Sequence, residues 1–394
     1  MKKSTLFVVM CVGFVATNIT ALPPKQKTAV QDSTISNTNE NVTNDAQKGS
    51  KINSGIQARG ATIKSSTLIN ENSDVINTAI NGSKINSGIK ADGATLKEAT
   101  LVNKNIDVQN NAANGSTINS GIKANNATIK GSELNNFNKN VRNNATNGSK
   151  INSGISAENA TIKGASTLIN SNDNVRNNAF DKSVINSGIG ADNATITGSN
   201  LKNKNTKVGN VATGASKINS GINANGATLK NSNLTNINQD VTNRATGKST
   251  INSGINAANA TISDSKEIKN INIGGRNTAK DKSIINSGIS AANATIKNST
   301  IRNENLGVKN FAANNSKINS GIQADNATLK DAIITNSNVN VKNSAINNSR
   351  INSGINVKGT TVKGSTINNF NANVTNTAKD GSKINSGVDL GDEQ

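Results

Sequence analysis

Carboxylates are the first residues to weigh for chemistry, because two of them held roughly 5 to 9 Å apart can hydrolyse a glycosidic bond. Asp92, Glu98, Glu158, Asp192 and Asp325 fall in scattered stretches of this chain, and their spacing predicts neither a column nor a close pair. Serine is abundant, but there is no histidine to activate it and no nucleophile-elbow motif. The chain also lacks tryptophan and tyrosine, and its one cysteine, Cys11, sits in an apolar N-terminal run. Disulfides, thiolate metal sites and imidazole catalysis are therefore excluded. The Gly-Gly-x-Gly-x-Asp calcium repeat is missing as well. The residues predict no enzyme, cofactor, metal or small-molecule substrate.

Basic residues are a different matter, because they recur at fixed places. Lys51, Lys84, Lys150, Lys217, Lys317, Arg350 and Lys383 precede one repeated motif, and Lys64, Lys97, Lys130, Lys163, Lys230, Lys297, Lys330 and Lys363 follow another. With a net charge of +19, such columns would offer anionic polymers or cell surfaces a positive stripe held by counterion release. With 2% aromatic residues no stacking platform is available, so any nucleic-acid contact would be to the backbone alone. A solvated face that discourages sideways sheet pairing is the plain alternative. A threonine column, Thr62, Thr95, Thr128, Thr161, Thr195, Thr228, Thr261, Thr295, Thr328 and Thr361, raises ice binding as a rival. If a second rung intervenes between these threonines, its Thr78, Asn111, Asn144, Asn178, Val211 and Arg244 argue against a flat ice-binding plane. Triplets such as Asn126 to Thr128 match the glycosylation acceptor pattern, but read as by-products of two columns.

The elements that must position these columns are set by a repeat. Ile-Asn-Ser-Gly-Ile begins at Ile52, Ile85, Ile118, Ile151, Ile185, Ile218, Ile251, Ile285, Ile318 and Ile351, with a variant at Ile384, in steps of 33 or 34 residues. A sustained period of this size marks a stacked repeat architecture. Apolar positions within a unit, such as Ile85, Ile89, Ala91, Ala94, Leu96 and Leu101, are spaced mostly by two with wider jumps at turns, so the units are short strands rather than helices. Ankyrin repeats share the length but need helical spacing, and are rejected. The fold class is all-β, an elongated β-solenoid (β-helix) of tandem 33-residue repeats.

Turn and ladder columns are as regular as the core. Gly55, Gly88, Gly121, Gly154, Gly188, Gly221, Gly254, Gly288, Gly321, Gly354 and Gly387 fill one column, which suggests a backbone site with positive φ. A second column alternates Gly60, Gly93, Asn126, Asn159, Asn193, Gly226, Asn259, Asn293, Asn326 and Gly359, the two residue types that tolerate the left-handed region. Asn70, Asn103, Asn136, Asn170, Asn203, Asn236, Asn270, Asn303, Asn336 and Asn369 each stand two after a core Leu or Ile, hence facing inward, as does a second column through Asn44, Asn77 and Asn110. Stacked amides of this kind pair with one another, so an Asn ladder is predicted.

Each unit contains two similar halves: Ile85 matches Leu101, and Ala91 matches Val108. The repetitive region also reads as opening on a second half and closing on a first half. Two rungs per unit are expected on this ground, about twenty-one in all and a rod on the order of 100 Å, with a single 33-residue coil as the alternative. In the two long units the extra residue falls in the same gap, Ile162 to Leu168 and Ile262 to Ile268, which marks that gap as a loop.

Lys2 and Lys3, an apolar run from about Leu6 and small residues ending at Ala21 form the layout of a secretory signal peptide. The expected organisation is a signal peptide over 1–21, a flexible linker over 22–32, the solenoid over 33–388 and an acidic tail over 389–394. In style of construction the chain resembles secreted bacterial solenoids, including curli-type fibre subunits and adhesin stalks, although the curli repeat is shorter and carries Gln ladders. The expectation is a secreted structural protein, a fibre or functional-amyloid subunit, biofilm-matrix component or adhesive rod, able to assemble end to end. A binding module for anionic polymers is the alternative, with ice binding behind it.

Overall fold

Alternating β-branched residues interrupted by Gly, Asn and Asp give strands of two to seven residues separated by tight corners. A computed structural model describes residues 29–390. The first coil is built of β1 (Ala29–Gln31), β2 (Thr34–Glu40), β3 (Thr43–Ala46), β4 (Lys51–Asn53) and β5 (Ile56–Gln57). Every later coil repeats these five strands, and each strand pairs in parallel with its counterpart in the next coil, giving five sheets of eleven strands among the described residues.

The register decides the rung count. Leu68 stacks on Leu101 and Leu101 on Leu134, while Ile85 stacks on Ile118, so hydrogen-bonded partners lie one full repeat apart. One 33-residue unit is one coil, and the two-rung expectation is corrected. Ile85 and Leu101 look alike because they occupy two different sheets of the same coil, each needing the same inward apolar residue. The rod is eleven coils long, about 50 Å at a strand spacing of 4.8 Å. The half-unit ends are corrected too: β1 pairs with Thr62–Lys64, so the opening coil is complete, and the last coil runs through to Val388–Asp389. Strand structure thus begins at Ala29, inside the expected linker, and includes Asp389 of the expected tail. The expected signal peptide and residues 391–394 lie outside the described residues.

Inside the coils, Ile, Leu, Val and Ala from every sheet stack on their counterparts into three buried columns of core. Each large aliphatic side chain buried this way contributes about 1.5 to 3 kcal/mol. The extra residue of the two long units lies in the corners at 164–166 and 264–267, and Leu134 still faces Leu168 as Leu234 faces Ile268. The insertion is absorbed outside the core, as its position in the sequence implies.

The two corner columns differ in origin. At Gly60, Gly93, Asn126, Asn159 and Asn193 φ lies between 52° and 66°, so this column is the left-handed corner expected. The Gly55 to Gly387 column is not left-handed. A Cβ at Gly55 would instead collide with the carbonyl oxygen of Gly88, and the same holds at each coil up to Gly354. Glycine is required there because successive backbones approach too closely for a side chain.

Candidate functional site

Three inward asparagine columns run the length of the interior. The Asn70 amide donates to Asn103 Oδ1 at 2.8 Å and to the Ser87 carbonyl at 2.7 Å, so both its N–H groups are used. The same pair of bonds recurs at Asn103, Asn136, Asn170, Asn203, Asn236, Asn270, Asn303 and Asn336, and Asn369 keeps the carbonyl bond. Asn77 donates to Asn110 at 2.8 Å in the second predicted ladder. A third ladder, in which Asn72 donates to Asn105, escaped the sequence reading, although its position four after a core Leu was the available signal. So did a buried serine column, in which the Ser116 N–H donates to Ser149 Oγ at 3.2 Å. The ladder amides are spent on one another and on backbone carbonyls, whereas the Ser116 hydroxyl of the serine column is buried without a partner.

Chemistry toward solvent belongs to the outer faces. Lys64, Lys97, Lys130 and Lys163 stand in register on four successive coils of the sheet founded by β1, and Lys297, Lys330 and Lys363 on three. Thr197 and Ser263 interrupt the column around Lys230. With one coil per unit, neighbouring ammonium groups are attached about 5 Å apart, half the separation that two rungs per unit would give. Only Lys97 of this column has a carboxylate within ion-pair distance among the described residues, Glu98 at 4.0 Å. In the first basic column Lys51 faces Lys84, and Lys317, Arg350 and Lys383 stand on consecutive coils.

Threonine forms an unbroken outer row on the same sheet, with Thr62, Thr95, Thr128 and Thr161 in direct register and the row continuing to Thr361. No intervening rung dilutes it, so the objection to an ice face based on Thr78, Asn111 and Arg244 falls, since those residues stand on the sheet founded by β3. What accompanies the threonines two residues on is the lysine column, not a second threonine row.

The carboxylates require a correction. Asp92, Glu158, Asp192 and Asp325 each precede a left-handed corner residue and share one column, with Glu158 and Asp192 on adjacent coils. Glu98 stays apart. Sequence spacing concealed the column because Asn125, Asn225, Ala258 and Ala292 fill the coils between. Burial pushes Asp192 up to about 6, with the neighbouring charge of Glu158 adding to the rise and the Asn225 N–H, donated at 3.0 Å, opposing it. Asp325 is also raised by burial, although Gln323 donates to it at 2.8 Å. Lys90 is lowered by burial and by the positive charge of Arg59, while Asp92 at 3.8 Å works against both. Among the described residues no group of three potential metal ligands exists, and no helix is long and apolar enough to cross a membrane.

The two ends of the rod are the remaining unsatisfied surfaces. Each of the five sheets ends at the first and last coil with one unpaired strand edge among the described residues. Val362 and Val388 of the last coil are 43% and 40% exposed, whereas their counterparts Leu329 and Ile355 one coil inward are fully buried.

No protein family and no curated protein matches the chain. Among solved structures it is weakly similar to a PL6 alginate lyase in complex with a trisaccharide, at 10% identity over 85% of this chain and 81% of that one, with a TM-score of 0.21. HetL, a pentapeptide repeat protein involved in heterocyst differentiation regulation in the cyanobacterium Nostoc sp. strain PCC 7120, matches at 14% identity over 54% of this chain and 85% of that one, with a TM-score of 0.10. The class the fold defines is a parallel β-solenoid, and it rests on the strand register itself.

Proposed function

We propose that the chain is an exported structural rod, a subunit of an extracellular fibre or matrix, rather than an enzyme. The observation that carries this reading is the pair of ends, where among the described residues ten strand edges, five at each end, have no neighbouring strand and could accept another β-strand layer. The leader-like residues 1–21 support export. The repetition of one coil eleven times among the described residues, with its interior asparagines consumed by ladders, suits a spacer or fibre unit. Electron microscopy and sedimentation of the purified protein over a wide concentration range test it. Unbranched filaments one rod wide, growing with concentration, are expected; a species that stays one rod long at every concentration would refute the fibre reading.

A second reading is favoured by the lysine column. Ammonium groups attached about 5 Å apart repel by roughly 1 kcal/mol per neighbouring pair even in water, and a bound polyanion would relieve that repulsion. The rod would then be an adhesive element whose β1 face grips an acidic glycan, lipopolysaccharide or nucleic-acid backbone.

A further inference from the structure

We infer that copies of this chain join head to tail in a single polarity, the last coil of one stacking on the first coil of the next in the register used inside the rod. The inference rests on the proposed fibre reading and names its contact.

Hydrogen-bond direction is the first argument. In the three buried ladders every amide donates toward the last coil, as Asn37 does to Asn70, Asn39 to Asn72 and Asn44 to Asn77. The first coil therefore presents the Oδ1 acceptors of these three residues at its open face. The last coil presents the Nδ2 donors of Asn369, Asn371 and Asn376, with no coil stacked on them among the described residues. On the sheet founded by β4 the direction reverses, Asn86 donating to Asn53 and Asn385 to Asn352, so this end pair is complementary as well. Like ends would set acceptors against acceptors. Unlike ends satisfy all four columns at once.

Charge and shape agree. Lys48 and Asp380 occupy the same corner position of their coils, with φ of 53° and 54°, and meet as neighbours in the joint. Lys51 meets Lys383, a like-charge contact already tolerated between Lys51 and Lys84. Val362 and Val388, exposed at the last coil, would cover Val30 and Ile56 of the first.

Glycine gives the joint a specific test. A Cβ at Gly354 would collide with the Gly387 carbonyl, but a Cβ at Gly387 would meet only Asn385 Oδ1 at 4.0 Å. Within a head-to-tail joint, the Gly55 carbonyl of the next copy takes the colliding position. Gly387→Ala should thus leave the isolated rod intact and block its tail. Thr34→Pro is the matching block at the head. Thr67 donates its N–H back to the preceding Ser33 carbonyl, so the equivalent N–H of Thr34 faces the open end and no internal bond is lost.

Mass is read by light scattering and sedimentation, with circular dichroism melting as the control for folding. The unaltered protein should elongate, each variant alone should stay monomeric with an unchanged melting temperature, and their equimolar mixture should give dimers and nothing longer. That mixture also reports folding, because it can form only through intact unblocked ends. Dimers from either variant alone, or elongation of Gly387→Ala like the parent, would overturn the polarity and register while leaving the fibre reading standing. An unaltered protein that never associates would remove the fibre reading itself, and this inference with it.

Discussion

Asn203 shows what a single ladder residue contributes. Its amide donates to the Ser220 carbonyl and to Asn236 Oδ1, both at 2.7 Å, and its own oxygen accepts from Asn170 at 2.8 Å. Asn203→Ala leaves three buried partners short of a bond in a fully enclosed place, and each such orphan costs about 1 to 3 kcal/mol. Urea titration should show a loss of roughly 3 kcal/mol or more, with local loosening of adjacent coils in hydrogen exchange; a change under 1 kcal/mol would contradict the ladder's structural role. Asp192 makes the opposite contribution. Its folded value, about 6, stands above the ordinary 3.8, so the folded state binds the proton more tightly than the unfolded chain does. Stability is therefore greatest below about pH 4 and falls as pH rises through the window from about 4 to 6. Because the side chain is still partly exposed, screening reduces the effect to roughly 1 kcal/mol. Asp192→Asn, which places there the residue already used at Asn125 and Asn225, should raise the melting temperature at pH 7 and leave it unchanged at pH 4. An equal shift at both pH values would show that ionisation is not the cause.

At the scale of one strand or corner, the column of Val75, Val108, Val141, Val175, Val208 and Val241 breaks at Gly275 and resumes at Val308 and Val341. A Cβ at Gly275 would meet nothing nearer than the Val241 carbonyl at 3.6 Å. Gly275→Val should fill this gap and restrict the unfolded chain, adding about 1 to 2 kcal/mol; a lower melting temperature would show that the space is not there. Much of this level was legible beforehand. The left-handed Gly or Asn corners, the Asn70 ladder and the outward loop at 164–166 follow from residue types that have few other uses. Rung count was not, because the sheets founded by β2 and β4 each need an apolar residue pointing inward, and that shared need imitates a sixteen-residue repeat. Strict identity was the better guide: the Thr62 row holds threonine in every unit, whereas the column half a unit on mixes Thr78, Asn111, Val211 and Arg244. The glycine column misled for a related reason, since absence of a side chain serves both positive φ and close stacking. Asp92, Glu158, Asp192 and Asp325 were hidden by the variety allowed at a partly exposed corner.

For the rod as a whole, the lysine column is the feature that partners would sense. Binding to double-stranded DNA or an acidic polysaccharide should weaken steeply between low and physiological salt, in proportion to the number of phosphates or carboxylates neutralised. Lys97→Gln, Lys130→Gln and Lys163→Gln together should cut affinity several-fold and flatten the salt slope by about three, while leaving the melting temperature near that of the parent. An unchanged slope would place the contact elsewhere. The asparagine ladders carry one more consequence for the entire particle. A primary amide is a dipole comparable to a peptide group, and three buried columns of them point along the axis in one sense. Outer amides such as Asn86 and Asn114 point the other way, but they stand partly or fully in water, where their field is damped. An axial electric field therefore threads the interior with its positive pole at the last coil, a side-chain counterpart of the helix macrodipole, and dilute rods should align in a pulsed external field even where their net charge is titrated away.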